Sequence, residues 1–123
     1  MKKKSFCFDI DNTICTTFKS EYKKAKPKRK IIKLINNLFD LGHEINFFTA
    51  RHMGRNKNNS LKAKKCGYKF TKKQLDDWGL KYHKLFFGKP SADYYIDDKS
   101  IYLKKKTNKI LLNLIKKNFI KKF

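Results

Sequence analysis

Four short apolar segments, each followed at once by polar residues, constrain the fold of this chain more than any other feature. They are residues 4–10, 44–50, 83–90 and 92–99. Short aromatic and apolar runs that end in a loop are typical of buried strands. Helical patterns separate the first three segments, and another follows the fourth. This order predicts an α/β domain with a mainly parallel central sheet.

Two amphipathic patterns predict the clearest helices. Apolar residues at positions 31, 34, 35, 38 and 41 follow the 3.6-residue period. Pro27 suits the first turn of this helix, and Gly42 is placed to terminate it. Residues 107–123 carry a second apolar period, which predicts an amphipathic helix that closes the domain.

The remaining segments have weaker patterns. Residues 14–26 lack a helical period and are predicted to be an irregular flap. Residues 51–69 are predicted to be a long polar connection, and loops of that length are usually functional or mobile. Thr71 and Gln74 then form a capping-box pattern for a short helix that ends near Gly79.

The size and composition of the chain indicate one folded domain spanning residues 1–123. Hydrophobic residues make up 40% of the chain and aromatic residues 15%, which is enough to bury one core. No apolar run approaches the roughly 20 residues that a membrane-spanning helix needs. Three cysteines without metal-type spacing indicate reduced thiols. We therefore expect a soluble, cytoplasmic protein with no membrane partner.

A formal charge of +22 raises the possibility of a nucleic-acid partner. Only three of the 32 basic residues are arginine, however, and arginine is the residue that favours bidentate recognition of phosphate and guanine. The lysines are also spread along the chain, which is typical of a solvated surface. We therefore do not expect nucleic acid as the main partner, although the charge favours the approach of anionic substrates.

Chemically capable residues follow each predicted strand. Asp9 to Thr13 follow the first, Thr49 to Arg51 the second, Lys89 the third, and Asp97 with Asp98 the fourth. Parallel strands bring their carboxyl ends to one edge of a sheet, where ligands bind. Only ten acidic residues occur in the chain, and four of them lie in these positions. The pattern predicts one site built from four strand ends.

Clustered carboxylates, a lysine and a threonine predict phosphoryl chemistry. Hard oxygen ligands suit Mg²⁺, and crowded carboxylates repel one another unless a cation lies between them. A carboxylate can also attack phosphorus to form an aspartyl-phosphate. Lys89 and Mg²⁺ together offset phosphoryl charge, and Thr49 can donate a hydrogen bond to a phosphoryl oxygen.

These four positions carry a resemblance to the haloacid dehalogenase superfamily. The stretch "DIDNT" resembles its DxDxT motif, "FFTAR" its second motif, "GKP" its third and "YIDDK" its acidic fourth, in order over residues 6–99. The longer stretches "YKKAKP", "LGHEINFFTAR" and "LFFGKPSADYYIDDK" resemble the sequences of small capsule-biosynthesis phosphatases. The resemblance implies a Rossmann-like three-layer sandwich.

The resemblance also implies roles for the acidic residues. Asp9 is implied to be the nucleophile and Asp11 the general acid and base. Mg²⁺ is implied to bind Asp9, the backbone carbonyl of Asp11, and Asp97. Asp98 is expected to support this site through a metal-bound water or Lys89.

The other motif residues are expected to bind substrate. Thr49 and Lys89 are implied to hold the phosphoryl group, with Ala50 and Arg51 beside them. Thr13 is expected to support Asp9 without contacting the substrate.

Many relatives carry a cap domain that selects the substrate, and no segment here is long enough to hold one. Specificity is therefore expected from the flap, from residues 51–69, or from a neighbouring subunit in a homo-oligomer.

The expected function is Mg²⁺-dependent hydrolysis of a small phosphorylated metabolite in capsular polysaccharide synthesis. A sugar phosphate and a polyol or amino-alcohol phosphate both remain open as substrates. A nucleic-acid end-processing or binding protein, or a catalytically silent interaction protein on this fold, is the alternative.

Overall fold

A computed structural model of the chain describes residues 2–103 and residue 113. Its principal elements follow one another as β1 (Ser5–Phe8), β2 (Cys15–Thr16), β3 (Lys26–Pro27), α1 (Arg29–Asp40), β4 (Glu44–Thr49), α2 (Ser60–Asp77) and β5 (Lys84–Phe87). Short 3-10 turns lie at Tyr22–Lys24 and Gly54–Asn56. Among the described residues, no helix is long and apolar enough to cross a membrane.

A parallel three-stranded sheet forms the centre of the described fold. Its strand order is β1-β4-β5, with Phe8 opposite Phe47 and Thr49 opposite Phe87. Alternate residues of β4 are buried, beginning at Ile45, as the period of 2 requires. The prediction of an α/β fold with a parallel sheet is confirmed for these three strands.

The α1 helix covers one face of this sheet as its apolar period predicts. Its buried side chains, together with those of the sheet, form one core cluster that also includes Leu75 of α2; the α1 members are Ile31, Ile32, Leu34, Ile35 and Leu38. Both helices therefore pack on the same face. Gly42 has a φ of 95° immediately beyond the C-cap, a conformation that glycine adopts without strain. The predicted helix terminator is confirmed.

Pro27 does not lie in the first turn of α1, contrary to the sequence-based prediction. It belongs to β3 and pairs with Cys15, so the helix begins two residues later. The predicted flap is thus partly regular, because β2 and β3 form a short antiparallel hairpin within and just beyond residues 14–26.

The long loop predicted over residues 51–69 is wrong for its second half. The α2 helix begins at Ser60 and runs 18 residues, and the Asn59 side chain caps it by accepting from the Lys62 N–H at 3.1 Å. Its buried positions recur every four residues, at Ala63, Gly67, Thr71 and Leu75. Three of these four are small or polar, so an apolar period could not reveal the stripe.

The fourth strand predicted over residues 92–99 is also absent from the described residues. Residues 91–103 contain no strand. The Asp97 side chain accepts from the nearby Lys99 N–H at 2.8 Å, whereas the Ser91 N–H donates to the distant Asn58 side chain at 3.0 Å. The helix predicted for residues 107–123 lies outside the described residues.

The start of α2 can be tested at its N-cap. Asn59→Ala removes the acceptor for the Lys62 N–H and is expected to lower the free energy of unfolding by about 1 kcal/mol. Asn59→Asp is the matched control, because it keeps the acceptor and adds a charge that suits a helix N-terminus. Urea denaturation measures both variants. If Asn59→Ala unfolds at the same midpoint as the wild type, the helix does not begin at this residue.

Candidate functional site

The carboxyl ends of the three strands bring Asp9, Thr49 and Lys89 together. Lys89 Nζ lies 3.8 Å from Asp9 Oδ1, and the Lys89 backbone N–H donates to the Thr49 carbonyl at 3.2 Å. The Thr13 hydroxyl donates to Asp9 Oδ2 at 3.5 Å. Three motifs that are distant in sequence therefore meet at one edge of the sheet, as parallel strands require.

A cavity of about 420 Å³ opens beside this edge. Asp9, Lys89 and Asp97 line it, together with aromatic residues that include Phe48 and Tyr95. Its volume is within the range of small-molecule sites. The predicted fourth motif thus reaches the site through Asp97, although no strand carries it. Asp98 is exposed and does not line the cavity.

The electrostatics of Asp9 are set by burial and by Lys89. Burial raises the pKa of the Asp9 carboxyl above its ordinary value, and the charge of Lys89 acts in the opposite direction to lower it. The nearby charge of Asp11 raises the pKa slightly further. An ionised Asp9 is therefore favoured by a cation at this position, whether from Lys89 or from a bound metal ion.

Asp11 forms a forked ion pair with Arg51. Arg51 Nε donates to Asp11 Oδ2 at 2.9 Å, and Nη2 donates to Oδ1 at 3.0 Å. The Thr17 hydroxyl donates to the same Oδ1 at 2.6 Å. Two parallel bonds between a guanidinium and a carboxylate are the strong geometry for this pair. Asp11 is therefore held by donors on both of its oxygens.

Arg51 is buried, contrary to the position expected of a substrate-contacting residue. Its side chain is fully inaccessible, and its remaining nitrogen donates to Gln74 at 2.7 Å and Thr71 at 3.3 Å. The guanidinium carbon also lies 4.6 Å from the ring centroid of Tyr22. All three nitrogens are thus used by protein groups, and the arginine connects Asp11 to α2 and the flap.

Thr49 and Ala50 occupy the turn that leads from β4 to Arg51. Thr49 is buried, and its hydroxyl accepts from the Arg51 N–H at 3.1 Å. The Ala50 carbonyl accepts from the Met53 N–H at 3.0 Å. These bonds fix the turn beside Asp9 and leave the Thr49 hydroxyl hydrogen available for donation.

The residues present supply the smallest number of carboxylates with which a protein holds a hydrated Mg²⁺ ion. Mg²⁺ needs only one or two carboxylates when it keeps several waters, and Asp9 and Asp97 line one cavity. The Lys99 N–H holds the pKa of Asp97 below its usual value, so this carboxylate is ionised. Within residues 2–103 no cluster of three or more metal-binding side chains is present. The carboxylate of Asp11 is committed to Arg51, so only its backbone carbonyl remains as the predicted third ligand.

Sequence reasoning missed the residues that surround Arg51. Tyr22 and Gln74 lie 29 residues before and 23 residues after the arginine in the chain, and neither lies in one of the four strand-end motifs. Gln74 Nε2 donates to the Tyr22 carbonyl at 2.7 Å while its Oε1 accepts from Arg51. The pattern at Thr71 and Gln74 was interpreted as a helix cap, and the same two side chains in fact receive the guanidinium.

Comparison with known proteins supports the fold. No family model and no curated protein matches the chain. Among solved structures, it is similar to the crystal structure of an MCSG target from Vibrio cholerae, with a TM-score of 0.78 and 25% sequence identity. The likeness covers 98% of this chain and 99% of the other. The likeness therefore supports a shared fold.

The buried fork between Arg51 and Asp11 is testable by substitution. Arg51→Met leaves Asp11 without its main partner and is expected to lower the free energy of unfolding by about 3–5 kcal/mol, the range for breaking a buried pair. Arg51→Lys keeps the charge but cannot form the fork, so a smaller loss is expected. Urea denaturation measures both.

A double-mutant cycle with Asp11→Asn isolates the pair. We expect the loss in the double variant to fall short of the sum of the single losses by more than about 0.5 kcal/mol, as for residues in direct contact. Additive losses, or a loss below about 1 kcal/mol in Arg51→Met, would be the behaviour of an exposed pair and would contradict this structure.

Proposed function

We propose that this protein is a Mg²⁺-dependent phosphatase that hydrolyses a small phosphomonoester through an aspartyl-phosphate. The single observation that carries the proposal is the approach of Lys89 Nζ to within 3.8 Å of Asp9 Oδ1 at the rim of a cavity. The carboxylate that we propose as the nucleophile thus lies beside a cation that could neutralise a phosphoryl group. Thr49 is fully buried at the neighbouring strand end and does not line the cavity, so the proposed donation from its hydroxyl to a phosphoryl oxygen requires a shift of this turn when substrate binds.

The proposed reaction has two displacements at phosphorus. A carboxylate oxygen of Asp9 forms a bond to phosphorus as the bond to the substrate alcohol breaks, and protonated Asp11 gives its proton to the leaving oxygen. Asp11 then removes a proton from water, whose oxygen attacks the phosphoryl group. Inorganic phosphate leaves and the Asp9 carboxylate is restored.

The ion pair with Arg51 constrains the part that Asp11 plays. Both of its oxygens accept bonds from Arg51, and Oδ1 also accepts from Thr17. To meet the leaving oxygen, Asp11 must exchange one of these donors for the substrate. Oδ1 is the oxygen with the neutral donor Thr17, and we propose that proton transfer occurs there because the charged Arg51 Nε contact to Oδ2 can then remain.

Asp9, Asp97 and the Asp11 carbonyl are the proposed Mg²⁺ ligands. The ion would polarise the phosphoryl oxygens and reduce the repulsion between the phosphate and Asp9.

We further propose that the fold is the capless Rossmann-like core of the haloacid dehalogenase superfamily. The described connections support this, since one hairpin with α1 joins β1 to β4, and one 3-10 turn with α2 joins β4 to β5.

The resemblance to capsule-biosynthesis phosphatases supports a cytoplasmic role in making precursors of a surface polysaccharide. A nucleic-acid substrate is tested against this by including a 5′-phosphorylated oligonucleotide among the candidate phosphomonoesters. The charge of +22 would make its turnover fall steeply with added salt. Rapid turnover of small phosphates with poor turnover of the oligonucleotide is the expected result.

Asp9→Asn tests the proposed nucleophile. Phosphatase activity is expected to fall to background, because an amide cannot attack phosphorus at neutral pH. Burial raises the pKa of Asp9 in the folded state above its value in the unfolded chain. The free energy of unfolding therefore falls as pH rises from about 4 toward that raised pKa, because the buried carboxyl must ionise. Asp9→Asn is therefore expected to unfold at the same or a higher urea concentration at pH 7. Retained turnover of any of the candidate phosphomonoesters by Asp9→Asn would falsify the mechanism.

A matched substitution and metal removal complete this experiment. Asp93→Asn changes an exposed carboxylate of the same loop as Asp97 that does not line the cavity, and it is expected to keep full activity. EDTA is expected to abolish wild-type activity, and excess Mg²⁺ to restore it. Activity that persists after dialysis against EDTA contradicts the metal requirement.

Lys89 provides a prediction for the pH dependence. Its charge lowers the pKa of Asp9, so Lys89→Met should move the acid limb of the kcat/KM profile to higher pH. The maximal rate should also fall by about 10²–10³, as when one preorganised donor to a transition state is lost. The profile is measured at saturating Mg²⁺.

Two controls identify the source of that shift. Lys89→Arg keeps the charge and is expected to keep the acid limb near its wild-type position. Lys84→Met removes an exposed charge at the opposite end of β5 and should leave the profile unchanged. An unshifted acid limb in Lys89→Met would mean that Asp9 is not the group that must ionise.

A further inference from the structure

Lys89 is less exposed than the other lysines that form ion pairs in the described part of the chain. Its side chain is 20% exposed, whereas theirs are 49–79% exposed. Its ammonium lies 3.8 Å from Asp9 Oδ1, which is longer than the about 2.7–2.9 Å of a charge-assisted hydrogen bond to a carboxylate. A lysine is a point charge on a flexible four-carbon chain. The contact with Asp9 therefore does not fix the ammonium by itself.

The ring of Tyr95 supplies a second contact to this ammonium. Lys89 Nζ lies 4.1 Å from the ring centroid, within the roughly 6 Å at which a cation is attracted to the face of an aromatic ring. The other lysine–aromatic contacts of the described residues have distances of 5.3–5.8 Å. An aromatic ring is neutral, so this contact holds the cation without adding a negative charge. Lys89 therefore keeps the charge that it needs to offset a phosphoryl group.

Tyr95 is itself bonded to the turn that carries Lys89. Its hydroxyl donates to the carbonyl of Pro90, the residue that directly follows the lysine. The backbone of the lysine is fixed from the other side, because its N–H donates to the Thr49 carbonyl at 3.2 Å. Tyr95 and Lys89 both line the cavity beside Asp9. The tyrosine thus contacts the charge of Lys89 and the backbone beside it.

Core packing does not account for an aromatic residue at position 95. Tyr95 is 48% exposed and lies outside the core cluster of the described residues. Residues 91–102 are all exposed, so the segment that carries the ring buries little apolar area. The two contacts of the Tyr95 side chain described above are both with residues 89–90.

We propose that Tyr95 is a positioning residue that holds the Lys89 ammonium at the place where the phosphoryl group binds. This inference rests on the proposed phosphatase function. A cation stabilises a transition state most when it is in place before the charge develops. A flexible side chain that must first be ordered gives up part of that advantage. The Tyr95 ring orders the ammonium beforehand, and it acts through Lys89 without contacting the reacting atoms.

Nuclear magnetic resonance tests the contact independently of activity. The face of an aromatic ring shifts the resonances of nearby protons upfield, so the Lys89 ε-methylene protons are expected upfield of the ordinary lysine position. Lys89→Met identifies their resonance by its loss. Tyr95→Leu is expected to return it to the ordinary position, and Tyr95→Phe to retain an upfield shift. An unshifted Lys89 resonance in the wild type would overturn the inference.

The kinetics of the same variants test the consequence. Tyr95→Leu is expected to lower kcat about 10- to 100-fold, the range for a catalytic group misplaced by about 1 Å, and to change KM less. Tyr95→Phe keeps the ring face and is expected to recover much of this loss. In the Lys89→Met background, Tyr95→Leu should cause no further loss, because a positioning residue has no effect without the group that it positions.

Tyr102→Leu is the matched control. Tyr102 is a 71% exposed tyrosine of the same segment that does not line the cavity, so its variant should keep the wild-type kcat. The Mg²⁺ concentration that gives the half-maximal rate should be the same in Tyr95→Leu as in the wild type. A higher Mg²⁺ requirement would show that Tyr95 acts through Asp97, and the inference would then be wrong.

Two further kinetic outcomes contradict the assignment. One is an unchanged kcat in Tyr95→Leu, and the other is a loss that multiplies with that of Lys89→Met. A wild type that hydrolyses none of the candidate phosphomonoesters refutes the proposed function itself. An active wild type whose rate does not depend on Tyr95 refutes only this inference.

Discussion

The buried pairing of Arg51 with Asp11 is the interaction on which the rest of the site depends. A guanidinium removed from water is costly unless its nitrogens find acceptors and its charge finds a partner. Here Asp11, Thr71 and Gln74 satisfy all of those nitrogens. Because these partners come from separate segments, burying Arg51 holds the loop after β1, the turn after β4 and the middle of α2 in contact. Tyr22 adds the flap through its ring.

The two acidic residues after β1 are given different environments by this arrangement. Asp9 lies at a cavity with one cation at 3.8 Å, and burial raises its pKa. Asp11, two residues later, accepts a guanidinium fork and a hydroxyl. Two carboxylates with unlike surroundings can take unlike roles in one reaction. A turn follows Asp11 directly, in which Asn12 has a left-handed φ of 61°.

Local patterns predicted those parts of the fold that bury apolar residues at regular spacing. The strands of the sheet and α1 belong to this class. The first half of α2 was missed because its buried stripe includes Gly67, at which a Cβ would overlap the imidazole of His52. Glycine occurs there because the two segments approach closely, and a pattern of apolar residues along the sequence cannot indicate such a contact. Arg51 was likewise placed at the site, but its burial depends on partners over 20 residues away.

The same bonds connect the flap to proton transfer in the proposed mechanism. Thr17 donates to the oxygen of Asp11 that we assign to proton transfer. Because Tyr22 fastens the other end of the flap to Arg51, displacement at the tip is resisted from both sides of the hairpin. The donor to that oxygen is therefore held by bonds within the described structure and needs no closing motion of the flap to reach Asp11.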